Sequence, residues 1–248
     1  MLRSAIVGAA LTLAAAGSCL AQGLAGIGSD GIFRITPQRP VTELRAEALA
    51  ARAPAESGRF RDVDLVELTT LDPTITLDVR YATANNFLST PVYTRARAYL
   101  QRPAAEALVR VHRSLSNQGY GLLIHDAYRP WWVTKVFWEA TPPALREFVA
   151  DPANGSRHNR GCAVDLTIYD LATGLAVEMP GDYDEASLRS YPDYTGGSAA
   201  QRGKRDLLRQ VMEAEGFTVE PNEWWHFNYK DWPGYPILDI SFQQAAKR

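Results

Sequence analysis

Three polar side chains have the chemistry of metal ligands. His158 and Asp165 lie in one short segment, seven positions apart, and His226 lies in an aromatic segment near the C-terminus. Zinc in a hydrolytic site takes about three protein ligands, from neutral imidazole and carboxylate, and keeps one position open for water. The sequence therefore allows a zinc site built from these three residues. The helical HExxH motif is absent, so the spacing alone also allows an ion-paired surface loop beside an aromatic strand.

Glu223 is the candidate general base. It precedes His226 by three positions, so the two side chains would point to opposite faces of a straight strand. A glutamate outside the coordination shell can take a proton from a metal-bound water if it lies beside that water. This role for Glu223 therefore predicts a bend in the chain between the two residues.

Arg129 is the candidate electrostatic group. It directly follows a predicted strand, in the segment 126–130, where a long side chain can reach over the end of a sheet. It could stabilise the negative charge that develops on a carbonyl oxygen during hydrolysis, and losing such a donor costs roughly 3 to 4 kcal/mol. The alternative is a salt bridge with Asp126 or with a neighbouring carboxylate.

The elements that must position these residues mix helices and strands without a regular repeat. Alternating apolar residues predict strands at residues 63–68, 75–81, 120–124, 162–169 and 217–229. Helical spacing predicts helices at residues 104–117, 131–150 with a break at two prolines, and 201–215. The mixture predicts an α+β fold, as a single domain with a mixed, mostly antiparallel sheet flanked by helices.

The N-terminus has the pattern of an export leader. Residues 1–21 carry one arginine, a short Ala-rich apolar stretch and small residues before a cleavage point after Ala21. A weak lipoprotein signal at Cys19 and a buried helix are the alternatives. The leader predicts an exported protein, periplasmic or secreted. Residues 22–60 are rich in Gly, Ala, Arg and Pro and are predicted to form an arm or linker with one helical run at 42–51.

Composition excludes several classes of protein. The chain has 248 residues, of which 46% are hydrophobic, which suits one globular domain that needs no disulfide or structural metal. Its 26 Lys and Arg residues are scattered and are balanced by 28 Asp and Glu residues, so no basic patch indicates a nucleic-acid partner. No stretch after the leader is long enough to span a membrane. Nothing in the sequence specifies an oligomeric state.

Four segments occur together in one order, at residues 77–87, 126–130, 156–165 and 223–227. Together they resemble the D-alanyl-D-alanine dipeptidases, zinc enzymes of the vancomycin-resistance type. The resemblance runs from about residue 71 to residue 232. It implies a zinc dipeptidase domain at residues 61–248, with one Zn²⁺ per chain and the small dipeptide D-Ala-D-Ala as substrate.

The resemblance also implies a role for each site residue. The matching positions make His158, Asp165 and His226 the zinc ligands, Glu223 the catalytic base and Arg129 the transition-state arginine.

Two further residues match positions that bind the substrate in this family. Ser156, two residues before the first ligand, matches the serine that helps to hold the substrate's carboxylate. Asp184, in the segment 179–184, matches more loosely the aspartate that receives the substrate's free amine. The two residues would hold the two ends of a dipeptide.

Two other functions are compatible with the same motifs. A D,D-carboxypeptidase or endopeptidase acting on peptidoglycan stem peptides shares the zinc ligands, and Asp184 discriminates between the two because only the dipeptidase binds a free amine. A non-catalytic cell-wall binding module would keep the metal, but it has no need of Glu223 as a base or of Arg129 as an oxyanion donor.

Overall fold

The structure, a computed structural model, describes residues 25–28 and 32–247, and the predicted leader lies outside these residues. The strands of the described part are β1 Ala25–Ile27, β2 Phe33–Ile35, β3 Leu65–Glu67, β4 Thr76–Leu77, β5 Tyr99–Gln101, β6 Tyr120–Asp126, β7 Ala163–Asp170, β8 Phe217–Glu220 and β9 Glu223–Tyr229. Its α-helices are α1 Val41–Ala50, α2 Leu68–Leu71, α3 Arg102–Ser116, α4 Trp131–Ala140, α5 Ala199–Ala214 and α6 Phe242–Ala245. Short 3₁₀ helices lie at Arg80–Ala82, Pro143–Phe148, His158–Arg160, Leu188–Ser190 and Trp232–Gly234.

A five-stranded sheet forms the centre of the fold, in the order β4-β6-β7-β9-β8. Strand β4 pairs in parallel with β6, and the other neighbouring strands pair antiparallel. Strands β1 with β2 and β3 with β5 form two small antiparallel sheets. The predicted α+β fold, with a mixed and mostly antiparallel sheet, is confirmed.

The two long helices form where the apolar spacing predicts them. On α3, Leu108, Val111 and Leu115 are fully buried, and the helix contacts both β6 and α5. Burying one such side chain contributes roughly 1.5 to 3 kcal/mol. Helix α5 begins at a capping box in which Ser198 and Gln201 each accept a hydrogen bond from the other's backbone N–H. Both helices therefore bury one face against the central sheet or each other.

Two predicted elements differ in the structure. Helix α4 ends at Ala140, because Thr141 is extended as the residue before Pro142 must be, and only a 3₁₀ helix follows. The strand predicted over residues 75–81 is limited to β4, after which the chain turns through a 3₁₀ helix. The alternating pattern there arises because Val79 and Tyr81 are buried in the core, not because the segment pairs in the sheet.

The N-terminal arm packs onto this core. Phe33 and Ile35 of β2 and Leu44 of α1 are buried in the same apolar cluster as the rest of the domain. Helix α1 packs against α4, and the Ile35 N–H donates to the carbonyl oxygen of Phe87 at 2.9 Å. The arm boundaries at residues 22 and 60 stay predictions. Within the described residues, no helix is both long and apolar enough to cross a membrane.

Candidate metal centre and active site

The sheet register brings two of the candidate ligands together. Asp165 on β7 lies directly opposite His226 on β9, and opposite Asp126 on β6. Residues directly opposite in an antiparallel pair project from the same face, so these side chains share one face of the sheet. A row of polar groups therefore crosses three strands.

The third ligand comes from the turn that leads into β7. His158 opens a 3₁₀ helix that ends at Gly161, whose φ of 68° is left-handed. A side chain at Gly161 would also collide with Leu65, since a Cβ there would lie 2.5 Å from the Leu65 Cδ2. Glycine at this position thus lets the chain turn sharply enough to bring His158 over the sheet.

The three ligand atoms form a nearly equilateral triangle. Asp165 Oδ1 lies 3.3 Å from His158 Nε2 and 3.1 Å from His226 Nδ1, and the two nitrogens are 3.1 Å apart. In a tetrahedral zinc site with bonds of about 2.0 to 2.1 Å, neighbouring ligand atoms are about 3.3 Å apart. The spacing therefore fits a zinc ion bound by all three residues.

Outer hydrogen bonds orient both imidazoles toward this triangle. His158 Nδ1 donates to the Ala127 carbonyl at 2.7 Å, and His226 Nε2 donates to Asn228 Oδ1 at 2.9 Å. When both rings are neutral, the other nitrogen of each ring presents a lone pair, as metal-binding histidines require. Asp165 Oδ1 is buried and accepts no hydrogen bond. Acceptor groups that face one another in this way are stabilised by a cation between them.

The acid–base properties of the cluster agree with that interpretation. Burial by itself would lower the pKa of both imidazoles. For His226 the adjacent negative charge of Asp165 outweighs burial and raises the pKa to about 9. The pKa of His158 stays below its ordinary value. The cluster therefore favours one cation, which can be a proton or a metal ion.

Glu223 lies beside the triangle because β9 bulges. Val219 pairs with Phe227, whereas the next residue of β8, Glu220, pairs with Glu223, so three residues of β9 have no counterpart in β8. The bulge turns Glu223 to the side of His226, and Glu223 Oε2 lies 3.4 Å from His226 Nδ1. The predicted bend between the two residues is present.

The surroundings of Glu223 suit a general base near neutral pH. Its side chain is only 16% exposed, and burial raises the pKa of the carboxyl to about 7. A base whose pKa lies close to the working pH transfers protons efficiently in both directions.

Arg129 makes the predicted salt bridge and also faces the site. Its Nε donates to Asp126 Oδ2 at 2.8 Å, and its Nη2 lies 3.5 Å from Asp165 Oδ2. The guanidinium lies against the rings of both Tyr81 and Phe137, 5.4 and 4.9 Å from their centroids. These contacts hold a permanent positive charge next to the candidate ligands. The salt bridge is therefore compatible with a role toward an oxyanion, which stays a prediction.

Ser156 caps the turn that carries His158. Its Oγ accepts a hydrogen bond from the His158 N–H at 3.2 Å, and its own N–H donates to Asn159 Oδ1. The serine therefore orders the ligand turn as well as lining the cavity.

Asp184 contributes a carboxylate with one unpartnered oxygen. Its Oδ1 accepts from the Tyr81 hydroxyl at 2.9 Å, while its Oδ2 is shielded from solvent and accepts no hydrogen bond. Burial raises the pKa of Asp184 well above its ordinary value, and the charge of Asp165 adds to this. The residue is also strained, with a φ of 61°. Such a group is suited to receive a cationic ligand.

All of the predicted site residues line one cavity, namely Arg129, Ser156, His158, Asp165, Asp184, Glu223 and His226. The structure thus brings together every residue that the sequence singled out for chemistry. Apolar residues complete the cavity wall, including Phe33, Ile35, Phe87 and Phe148.

Several supporting residues were missed from the sequence. Asn228 lies two positions after His226, and strand periodicity places it on the same face, so its role could have been found. Tyr183 donates to Asp165 Oδ2 at 3.1 Å, although only its position beside Asp184 could have indicated this. Phe33 and Ile35 had no signal, because nothing in the arm indicates what it packs against.

Comparison with known proteins identifies relatives of this chain. The sequence profile of the D-ala-D-ala dipeptidase family, Peptidase_M15, matches residues 61–246. A D-alanyl-D-alanine dipeptidase of Escherichia coli is 34% identical over 179 residues, which cover 72% of this chain and 91% of that protein. One from Enterococcus faecium is 36% identical over 183 residues, which cover 66% of this chain and 90% of that protein.

A solved structure, that of the LdcB LD-carboxypeptidase, covers 91% of this chain and 95% of its own, with a TM-score of 0.41 and 19% identity. This likeness is too low to carry an argument. The family profile and the curated relatives extend over most of the chain, and they agree with the resemblance found from its motifs. The chain therefore belongs to the D-ala-D-ala dipeptidase family and is a metallopeptidase.

Proposed function

We propose that this metallopeptidase is a zinc dipeptidase that hydrolyses D-Ala-D-Ala. One observation carries the proposal: the unpartnered Asp184 carboxylate lies in the same cavity as the His158, Asp165 and His226 triangle. A free dipeptide has an ammonium group close to its scissile bond, whereas the same bond in a longer peptide does not. The relatives from Escherichia coli and Enterococcus faecium are D-alanyl-D-alanine dipeptidases, which supports the same substrate.

The donor set supports zinc as the metal. Two neutral imidazoles and one carboxylate are ligands that zinc accepts in catalytic sites, and three protein ligands leave a position open. His158, Asp165 and His226 would hold one ion per chain. When bound, zinc supplies Lewis acidity that polarises a carbonyl and lowers the pKa of water.

Glu223 and Arg129 supply the remaining chemistry. Glu223 accepts a proton from the water that attacks the peptide carbonyl. It then gives this proton to the nitrogen of the departing amine. Arg129 lies within the cavity with its charge fixed by Asp126, and it stabilises the negative charge that develops on the carbonyl oxygen. The arginine needs no movement for this, because its side chain is already held by Asp126 and by contact with two rings.

Asp184 and Ser156 would set the length of the substrate. Asp184 pairs with the ammonium group, and Ser156 helps to hold the carboxylate at the other end. A site that is polar at both ends admits a dipeptide and rejects peptides that extend beyond either end, because a blocked amine would leave Asp184 unpaired.

The predicted leader adds a location to this proposal. We infer that the protein is exported and acts in the periplasm or outside the cell, since residues 1–21 have a charged start, an apolar stretch and a small-residue cleavage point.

The test is the release of free D-alanine from D-Ala-D-Ala and from its N-acetylated form, with and without a chelator. Turnover of the free dipeptide alone, abolished by the chelator and restored by zinc, is the expected result. Preference for the acetylated substrate would instead identify a D,D-carboxypeptidase or endopeptidase. No turnover of either substrate by zinc-loaded protein, together with binding to cell walls, would identify a non-catalytic binding module.

A further inference from the structure

The N-terminal arm reaches the cavity although it lies outside the region matched by the family profile. Phe33 and Ile35, both on β2, line the same cavity as the candidate metal ligands. Each is only 7% exposed, so both side chains are fully engaged in packing. The family match begins at residue 61, so this part of the wall lies outside the matched domain.

Backbone contacts fix the arm in this position. The Ile35 N–H donates to the Phe87 carbonyl at 2.9 Å, and the Gln38 N–H donates to the Ala140 carbonyl at 2.9 Å. Helix α1 then packs on α4, with Leu44 buried between them and the rest of the core. The wall formed by β2 is therefore anchored on both sides rather than resting loosely on the surface.

A chain of aromatic rings connects this wall to the polar site. The Phe87 ring packs against Tyr81 and Phe137, with centroids 6.2 and 5.1 Å apart. Tyr81 donates to Asp184, and Phe137 lies against the guanidinium of Arg129. Two rings, Phe87 and then Tyr81 or Phe137, thus connect the wall to the groups proposed to bind the amine and the oxyanion.

We propose that β2 of the arm is a specificity-determining wall, in which Phe33 and Ile35 limit the cavity to dipeptides with small side chains. This inference rests on the proposed dipeptidase function. The polar groups of the cavity are the ones proposed to bind the amine, the scissile bond and the carboxylate. The substrate's side chains must then occupy the part of the cavity that is lined by apolar residues. Phe33 and Ile35 occupy space there that a larger side chain would need.

The test compares substrates of two sizes. The variants Phe33→Ala and Ile35→Ala, and the milder Phe33→Leu in case an alanine variant fails to fold, are assayed on D-Ala-D-Ala, D-Leu-D-Ala and D-Ala-D-Leu. The inference predicts that the ratio of kcat/KM for a leucine dipeptide to that for D-Ala-D-Ala rises about 10-fold or more, the effect of a few methylene groups in an apolar pocket. A ratio equal to that of the wild type in every folded variant would overturn it.

Arg34→Ala provides the matched control. Arg34 lies between the two wall residues on the same strand, and it does not line the cavity. Its removal should leave the ratio unchanged. If Arg34→Ala raised the ratio as much as Phe33→Ala, a general loosening of the arm would explain the result. The proposal that Phe33 and Ile35 limit the size of the substrate would then be overturned.

A binding measurement separates this inference from the proposed function. Calorimetric Kd values of the same three dipeptides are compared in the Glu223→Gln background, with and without Phe33→Ala. A wild-type enzyme that cleaves none of the dipeptides would refute the proposed activity, yet tighter relative binding of a leucine dipeptide after Phe33→Ala would still support the wall. Binding of no dipeptide in either background would overturn the wall as well.

Discussion

Replacing Asp184 with asparagine isolates the charge of one carboxylate. Asn has nearly the same shape and is among the residues that tolerate a left-handed φ, so the value of 61° can be kept. Its side-chain oxygen can still accept the hydrogen bond from Tyr81. The substitution therefore removes a negative charge and little else.

The expected loss follows from the burial of that charge. Removing one partner of a buried, hydrogen-bonded charge pair costs about 2 to 5 kcal/mol. At about 1.4 kcal/mol per factor of ten, kcat/KM for D-Ala-D-Ala should fall about 30-fold to about 4,000-fold in Asp184→Asn. N-acetyl-D-Ala-D-Ala carries no ammonium group, so its kcat/KM should not fall.

The same substitution should stabilise the fold at neutral pH. Burial raises the folded-state pKa of Asp184 well above its unfolded value. The free energy of unfolding is therefore highest at acid pH, where Asp184 is protonated in both states, and it falls as the pH rises toward and through the folded pKa. The side-chain amide of asparagine does not ionise, so the variant does not lose this stability. The Tm of Asp184→Asn should therefore exceed that of the wild type at neutral pH, and the difference should vanish below about pH 4, near the ordinary pKa of aspartate.

The assay is steady-state hydrolysis of both substrates, combined with thermal unfolding at the two pH values. Asp182→Asn is the matched control for hydrolysis, since it makes the same change in the same loop at an exposed residue that does not line the cavity. Equal losses on the free and the acetylated dipeptide in Asp184→Asn would refute the amine-binding role. A Tm difference that does not change with pH would refute the electrostatic argument.

Two further substitutions and one labelling experiment test other features of the protein. Glu223→Gln should lower kcat about 10²- to 10⁴-fold with the metal content unchanged, and an unchanged kcat would contradict its role as the base. Burial raises the pKa of Glu223 to about 7 and a bound cation lowers it, so the wild-type kcat/KM should decline with acid at or below that pH, and this limb should be absent from the variant. Asn228→Ala should weaken metal binding about 10- to 100-fold in competition with a chelator, because His226 loses its acceptor; equal affinity would contradict this. Cys162 is fully buried and burial raises its pKa to about 12, so peptide mapping should find it alkylated only after unfolding, and labelling of the folded protein would contradict its burial.

The sequence predicts most of the sheet and helices because each carries a periodic apolar pattern. The strand predicted at 162–169 and the observed β7 agree to within a residue, and its alternation places Asp165 on the face opposite to Val164 and Leu166. The same rule fails at Val79 and Tyr81, where alternate residues are buried by a 3₁₀ turn instead of a strand. Periodicity indicates which residues are buried. It does not indicate whether a strand or a 3₁₀ turn buries them.

The arm shows a second limit of sequence reasoning. The segment 22–60 is rich in Gly, Ala, Arg and Pro, so its composition predicts an arm or linker. The structure buries Phe33, Ile35 and Leu44 in the core of the domain, through contacts with residues more than fifty positions away. Such long-range contacts leave no local pattern, and only the folded chain reveals that β2 reaches the cavity.

The two oxygens of Asp165 connect the halves of the site. Its Oδ2 lies 3.1 Å from the Tyr183 hydroxyl and 3.5 Å from Arg129 Nη2, whereas its Oδ1 faces the two imidazoles. Anchoring one oxygen fixes the direction of the other, so the residues that hold Oδ2 also determine how well Oδ1 can bind a metal. The arginine and the metal centre are thus coupled through one carboxylate, and loss of Arg129 should disturb metal binding as well as the stabilisation of the oxyanion.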